Sequence, residues 1–395
     1  MKPLEGIRIV DFTQAHAGSL ATMILADFGA EVIKIERAGI GDLARYWAPM
    51  RDGDSGYYAY LNRGKKSIAV NATHPQGLEV VKRLISRADV VTENFKFGSM
   101  DRMGLSYEEV KKICPDIIYA SLNGFGQTGP MRQAIGLDLQ LQAMSGIMDQ
   151  TGFANGLPTK AGAALADQLS GTYMTIAILM ALVHRKKTGE GQRVDISILD
   201  SLVSVLEAAP VSLTLNGYAP QRQGNGSAWF APCDTFQVSD GEVALSVKTE
   251  EQWHSLCRAL SLEALETDDR FSSNELRCEH KEELYAALSK ELRTEKKREV
   301  ELWLQQAGVP CGAVRSVREA MELEPIRRRM LRNIQDAKLG NLTVPGSAIR
   351  LEQTPGNPEH GAPGLGEHTD QYLKELGYTD EIIKQLYEER ILEHA

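Results

Sequence analysis

Short unbroken apolar runs alternate with helical spacing through the first 120 residues, and this alternation constrains the fold more than any other feature. Ile7 to Asp11 is a short apolar run ending at a turn, which predicts a buried strand. Leu20 to Phe28 predicts a helix, and Val32-Ile-Lys-Ile-Glu36 a second strand. The rhythm recurs: Ser67 to Val70 precedes a helix over Gln76 to Ser86, Val90 to Thr92 precedes one over Tyr107 to Ile113, and Ile117 to Ala120 is a further strand. Strands of this kind need cover on both faces. The pattern predicts an α/β fold with a largely parallel sheet.

Composition shifts after about Asn216. Residues 217–229 are rich in Gly, Gln, Pro and Asn and read as a linker or mobile loop. Thr235 to Val247 reads as a hairpin around Asp240-Gly241, with helices expected over Glu250 to Leu260 and Lys281 to Leu304. The 395 residues therefore divide into a large first part (1–216), the linker, a smaller α+β domain (230–325), and a return segment (326–395) that ends in helices near Asp370–Leu376 and Thr379–Glu388.

The formal charge of −9 argues against nonspecific nucleic-acid binding. The five cysteines are scattered without CxxC spacing, so they read as reduced thiols in a cytoplasmic setting, with no metal pattern. The N-terminus does not resemble a signal peptide. The longest apolar stretch, Gly171 to Val183, is too short to span a bilayer and predicts a buried helix, so no membrane partner is expected.

The first strand–loop–helix unit invites a dinucleotide reading, with Glu36 closing the second strand, but its loop has one glycine and no GxGxxG. A polyphosphate ligand fits better. Lys34, Arg37, Arg45, Arg63, Lys65 and Lys66 gather after the early strands, joined by Lys96 and Arg102, where parallel sheets bind ligands. The competing reading of each is a solvated surface charge.

Asp167 ends the run Lys160-Ala-Gly-Ala-Ala-Leu-Ala-Asp167 and precedes a helical pattern through Tyr173, Ile176, Leu179, Met180 and Val183. Small neighbours leave this carboxylate reachable. An Asp at such a point is ordinarily a helix cap; an accessible one is also placed as a nucleophile.

Several segments in fixed order carry a resemblance. They are Gly6-Ile-Arg-Ile-Val-Asp-Phe-Thr13, Gly29-Ala-Glu-Val-Ile-Lys-Ile-Glu-Arg37, Asn62-Arg-Gly-Lys-Lys-Ser-Ile68, Glu93-Asn-Phe95, Asp101-Arg-Met-Gly-Leu105, Gly124-Phe-Gly-Gln-Thr-Gly-Pro130, Ala143-Met-Ser-Gly146, Lys187-Thr-Gly-Glu-Gly-Gln-Arg-Val-Asp195, Gly308-Val-Pro-Cys-Gly312 and Gly366-Glu-His-Thr-Asp370. Together they resemble the class III coenzyme A transferases over essentially the whole chain. The resemblance implies a Rossmann-like large domain built from both chain ends, a smaller domain between them, and an interlocked homodimer. It implies CoA transfer from an acyl-CoA to a free carboxylic acid through an aspartyl mixed anhydride and an aspartyl-CoA thioester, with acyl-CoA as substrate and no tightly bound cofactor. Asp167 matches the family nucleophile. His16, where the family often has glutamine, and Ala17 match the loop facing the thioester, and Asp138 an acidic position beside the nucleophile. Arg37, Ala72, Thr73, Asn94, Phe95 and Arg102 match CoA contacts. Gly224 and Gly226, in Gln223-Gly-Asn-Gly-Ser227, match a substrate loop with fewer consecutive glycines than the formyl-CoA transferases, which weakens a formate or oxalate assignment. Trp47, Tyr57, Tyr58, Gln140, Trp229 and Phe230 are candidates for the acyl pocket.

Two other readings compete. Racemases of the same fold carry histidine in a Gly-His-Asp triplet; here the triplet is Gly136-Leu137-Asp138, and leucine moves no proton. A non-catalytic acyl-CoA-binding protein has no need of an accessible Asp167.

Overall fold

A run of Val and Ile on consecutive positions sends apolar side chains to both faces of a sheet, and both faces are covered. The computed structural model of the chain describes residues 1–358 and 360–393. Six strands, β1 (Arg8–Asp11), β2 (Glu31–Glu36), β3 (Lys66–Ala69), β4 (Val90–Glu93), β5 (Ile118–Asn123) and β6 (Arg193–Ser197), form a parallel sheet in the order β3-β2-β1-β4-β5-β6. Val10 and Phe12 enter a core with Ile33, Ile35, Val80 and Leu84, closed by Tyr372 and Leu386 from the C-terminal helices. Ile9, Val32 and Val90 enter the opposite core with Ala21, Met174 and Ile178. Strand order reverses between β1 and β4, which leaves a crevice at their C-terminal ends. The sequence pattern does not reveal β6, because its residues Arg193 and Asp195 are exposed and interrupt the apolar run.

The chain divides into two compact units. The first comprises Met1–Ile147, Lys160–Pro210 and the chain from Pro325 onward, and holds the parallel sheet. The second comprises Met148–Thr159 and Val211–Glu324, with a three-stranded antiparallel sheet over a core that includes Trp253, Phe271, Leu284 and Leu304. Its hairpin pairs Val238 with Gly241, so the turn is Ser239-Asp240, one residue earlier than expected. The single helix expected over Lys281 to Leu304 is two, Lys281–Leu292 and Lys297–Gln306. That turn explains the break: the Asp240 carboxylate accepts the Lys297 N–H at 2.7 Å, and Ser239 N–H donates to the Glu295 carbonyl at 2.8 Å.

The helix carrying Asp167 runs Leu165–Thr188, well beyond the apolar stretch seen in the sequence, and is long and apolar enough by length and composition to cross a membrane. Here it covers the sheet. Its buried face is Ala166, Ser170, Gly171, Met174, Thr175, Ile178 and Ala181. Four of the five apolar positions read from the sequence lie on the other side: Tyr173 is 38% exposed, Ile176 40%, Val183 55% and Met180 68%, while Leu179 packs partly against the core. Small residues take the inner face because the helix α1 (Ala17–Asp27) lies very close. A Cβ on Gly171 would sit 2.5 Å from the Ala17 carbonyl oxygen, so the two helices meet near their N-termini only because that atom is absent. Gly171→Val is expected to lower the denaturation midpoint by the equivalent of about 1–3 kcal/mol, with Gly171→Ala intermediate; an unchanged midpoint in the valine variant would contradict this account of the crossing.

Candidate active site

The loop after β1 carries no secondary structure, and side chains hold its backbone instead. Asp11 accepts the Thr13 N–H at 2.9 Å and Lys34 Nζ donates to the Thr13 carbonyl at 2.6 Å. The Asn94 amide takes both backbone groups of Gln14, accepting its N–H and donating to its carbonyl, each at 2.8 Å. Asp42 accepts the Ala15 N–H at 2.9 Å, and Ala15 takes φ +60, a conformation that needs such support. The anchors are paired: Lys34 lies 2.8 Å from Asp42, and Lys65 lies 3.2 Å from Asp11, all four buried. Burial opposes ionisation of Asp11, yet Lys65 and Lys34 hold its carboxyl down at about 2.

This arrangement corrects the expected basic rim. Lys34 and Lys65 anchor the loop, Arg63 forms a two-pronged pair with Asp27, and Arg45 does the same with Glu36. All four are structural, and the Glu36 carboxylate is taken up further by Ser67, Tyr58 and the Asp42 N–H. The Asn94 side chain is likewise spent on Gln14.

The pinned loop delivers His16 to the start of α1, where no side chain caps the helix. Close by, Asp167 stands in the first turn of the Leu165–Thr188 helix. The capping role expected of it falls to Asp138, whose Oδ1 accepts the Ala166 N–H at 3.0 Å. Gln142 holds Asp138, donating from Nε2 to both carboxylate oxygens at 3.0 and 2.9 Å, and accepts the Ala161 N–H at 3.0 Å, which orders the small-residue run. The half-buried Asp167 carboxylate accepts no hydrogen bond among the described residues. Burial raises its pKa to about 6, reinforced by the charge of Asp138.

His16 is buried, and burial holds its pKa below the usual value against the pull of Asp138. Its Nδ1 contacts the Tyr57 hydroxyl, and its Nε2 lies 2.9 Å from Gln168 Nε2. Burial, then the charge of Asp167, pushes the Tyr57 phenol up to about 12, so it keeps its proton. Trp47 meets Tyr57 edge-on, with ring centroids 5.5 Å apart. Gln168 and the role of Gln142 are not visible in the sequence; adjacency to Asp167 is the one signal that marks Gln168. Of the other aromatic candidates, Tyr58 is buried against Glu36, and Trp229 and Phe230 belong to the second unit. Gln140 is exposed.

A cavity of about 610 Å³ opens beside the C-terminal ends of the central strands. It is lined by Arg37, Ala72, Thr73 and Phe95, four of the expected CoA contacts, together with Phe12, Gln14, Asn71, Met103 and Arg390. The size suits a nucleotide-sized ligand. Phe95 is fixed there by its N–H donating to Glu93 at 2.8 Å. Arg102 is not part of the lining; it is exposed and donates to Ser99. Ala17 lies buried at the start of α1, beneath Gly171. Gly224 and Gly226 lie in the second unit, where Gly224 takes φ +63 against the Phe153 ring and a Cβ on Gly226 would come within 2.9 Å of Asp234.

The model of CoA-transferase family III matches residues 4–369. The chain belongs to this family and is a class III CoA-transferase. It is 36% identical over 389 residues to the human succinyl-CoA:glutarate CoA-transferase, covering 98% of this chain and 89% of that protein. It is 38% identical over 380 residues to the acetyl-CoA:oxalate CoA-transferase of Acetobacter aceti, covering 95% and 96%. A CaiB/BaiF family crystal structure from Brucella suis superposes with a TM-score of 0.87 at 35% identity, over 95% of this chain and 99% of that one. With an ionised Asp167 as the reacting group, kcat/KM would fall as the pH drops through about 6, where that carboxylate takes up a proton. Asp138→Asn keeps an acceptor for Ala166 but removes a charge that raises the Asp167 pKa, so the acid limb should move to lower pH. A limb that stays in place, or moves up, contradicts that coupling.

Proposed function

We propose that the enzyme transfers CoA between a short acyl-CoA and a free dicarboxylic acid through covalent intermediates on Asp167. The observation that carries this reading is the free state of that carboxylate: it stands in a first helical turn while Asp138 does the capping. A carboxylate oxygen of Asp167 attacks the thioester carbonyl, the C–S bond breaks, and CoA leaves as thiolate. The thiolate attacks the aspartyl carbonyl of the anhydride, the C–O bond breaks, and the first acid departs. The acceptor carboxylate attacks the aspartyl-CoA thioester and expels the thiolate, which then attacks the acceptor's acyl carbonyl and regenerates Asp167. Each step exchanges one activated acyl group for another, so no ATP or resident cofactor enters. At neutral pH a group with a pKa of about 6 is mostly ionised and able to attack.

Arg37 and Phe95 in the 610 Å³ cavity suit the phosphate and adenine portions of CoA. Relatives named for glutarate and for oxalate make dicarboxylates the first acids to test, with succinyl-CoA and acetyl-CoA as donors. Oxalate stays among them, since the oxalate relative is as similar as the glutarate one. The exposed apolar face of Tyr173, Ile176, Met180 and Val183, with Ile135, Leu137 and Leu139 nearby in sequence to Asp138, supports an interlocked homodimer. Leu137 supports transfer over racemisation.

Asp167→Ala should reduce transfer about a thousandfold or more. Hydroxylamine added during turnover should leave a hydroxamate on Asp167, and borohydride should reduce the aspartyl thioester, both read by peptide mass. Full activity in Asp167→Ala, with no adduct in the wild type, would end this proposal.

A further inference from the structure

The two ring nitrogens of His16 have different partners. A buried neutral imidazole carries one proton, so one nitrogen donates and the other accepts. The nitrogen facing Nε2 is that of the Gln168 amide, 2.9 Å away, and an amide nitrogen only donates. Nε2 must then accept, which leaves the proton on Nδ1, the nitrogen in contact with the Tyr57 hydroxyl. The Tyr57 oxygen accepts that proton's hydrogen bond, and its own O–H is left free to point elsewhere. The rings meet edge-on, with centroids 5.6 Å apart, and Trp47 packs edge-on against Tyr57 as well. Asp167 and Asp138 are the charged groups Tyr57 senses.

We propose that Gln168 is a positioning residue: it fixes His16 in the Nδ1–H tautomer, so that His16 donates to Tyr57 and the Tyr57 hydroxyl donates to the oxyanion formed when Asp167 attacks a carbonyl. No proton is transferred; the hydrogen bond strengthens as negative charge gathers on the carbonyl oxygen. Turning the amide over reverses the chain. Its oxygen would hold the proton on Nε2, Nδ1 would accept from Tyr57, and the hydroxyl would be lost to the oxyanion. The inference rests on the transferase reading for its catalytic part and on the free protein alone for its tautomer.

The test has two readouts. In protein carrying ¹⁵N-histidine, the resonances that disappear in His16→Gln should show a protonated Nδ1 and an unprotonated Nε2, and Gln168→Leu should abolish that preference. In kinetics, Gln168→Leu should lower kcat about tenfold with little change in KM for acyl-CoA, the effect of one lost transition-state hydrogen bond. On Tyr57→Phe the same substitution should add nothing further. A wild-type proton on Nε2, or an equal effect of Gln168→Leu in the wild type and in Tyr57→Phe, overturns the proposal. If the wild type transfers no CoA while the tautomer is as described, it is the transferase reading that has failed.

Discussion

Two buried ion pairs, Lys34 with Asp42 and Lys65 with Asp11, determine where the loop that leads to His16 stands. Ions stripped of water are costly unless paired and hydrogen-bonded, and breaking one such pair costs about 3–5 kcal/mol because the remaining charge is stranded. Here three of the four charges also hold the loop backbone. Asp11 and Lys34 take the N–H and carbonyl of Thr13, and Asp42 takes the N–H of Ala15. Asn94 fills in the two groups of Gln14 between them. A loop without regular structure thus has five consecutive backbone groups satisfied by side chains, and His16 follows directly at the head of α1.

The second half of the site depends on a transfer of roles. A carboxylate in a first helical turn is usually consumed by capping. Asp138, held by Gln142, caps the Leu165–Thr188 helix from outside, and Asp167 is left free inside it. Gly171 then lets this helix lie against α1, so that Asp167 and His16 share one place in the molecule. A helix N-terminus on each side favours negative charge between them, the sign that a thiolate or an oxyanion carries.

The strands of the sheet are legible in the sequence because unbroken apolar runs report two-sided burial, and β6 is missed because it is half exposed. The free standing of the Asp167 carboxylate is legible through its small neighbours. The four basic residues Lys34, Arg45, Arg63 and Lys65 are misread as a ligand rim because their acidic partners come from other elements, and only the folded chain brings them together. The helix face is misread for a related reason: spacing marks Tyr173, Ile176, Met180 and Val183 as apolar, but the inward side is set by how close α1 comes, which favours Gly, Ser and Thr. Tyr57 and Gln168 gain their places only from contact with His16.

Amide hydrogen exchange of the wild-type enzyme tests most directly whether side-chain anchors hold this loop. The amides of Gln14 and Ala15 should exchange as slowly as those of β1, and Asp42→Ala should release both while the amides of β5 stay protected. Rapid exchange of Gln14 and Ala15 in the wild type, at the rate of an ordinary surface loop, would contradict the account.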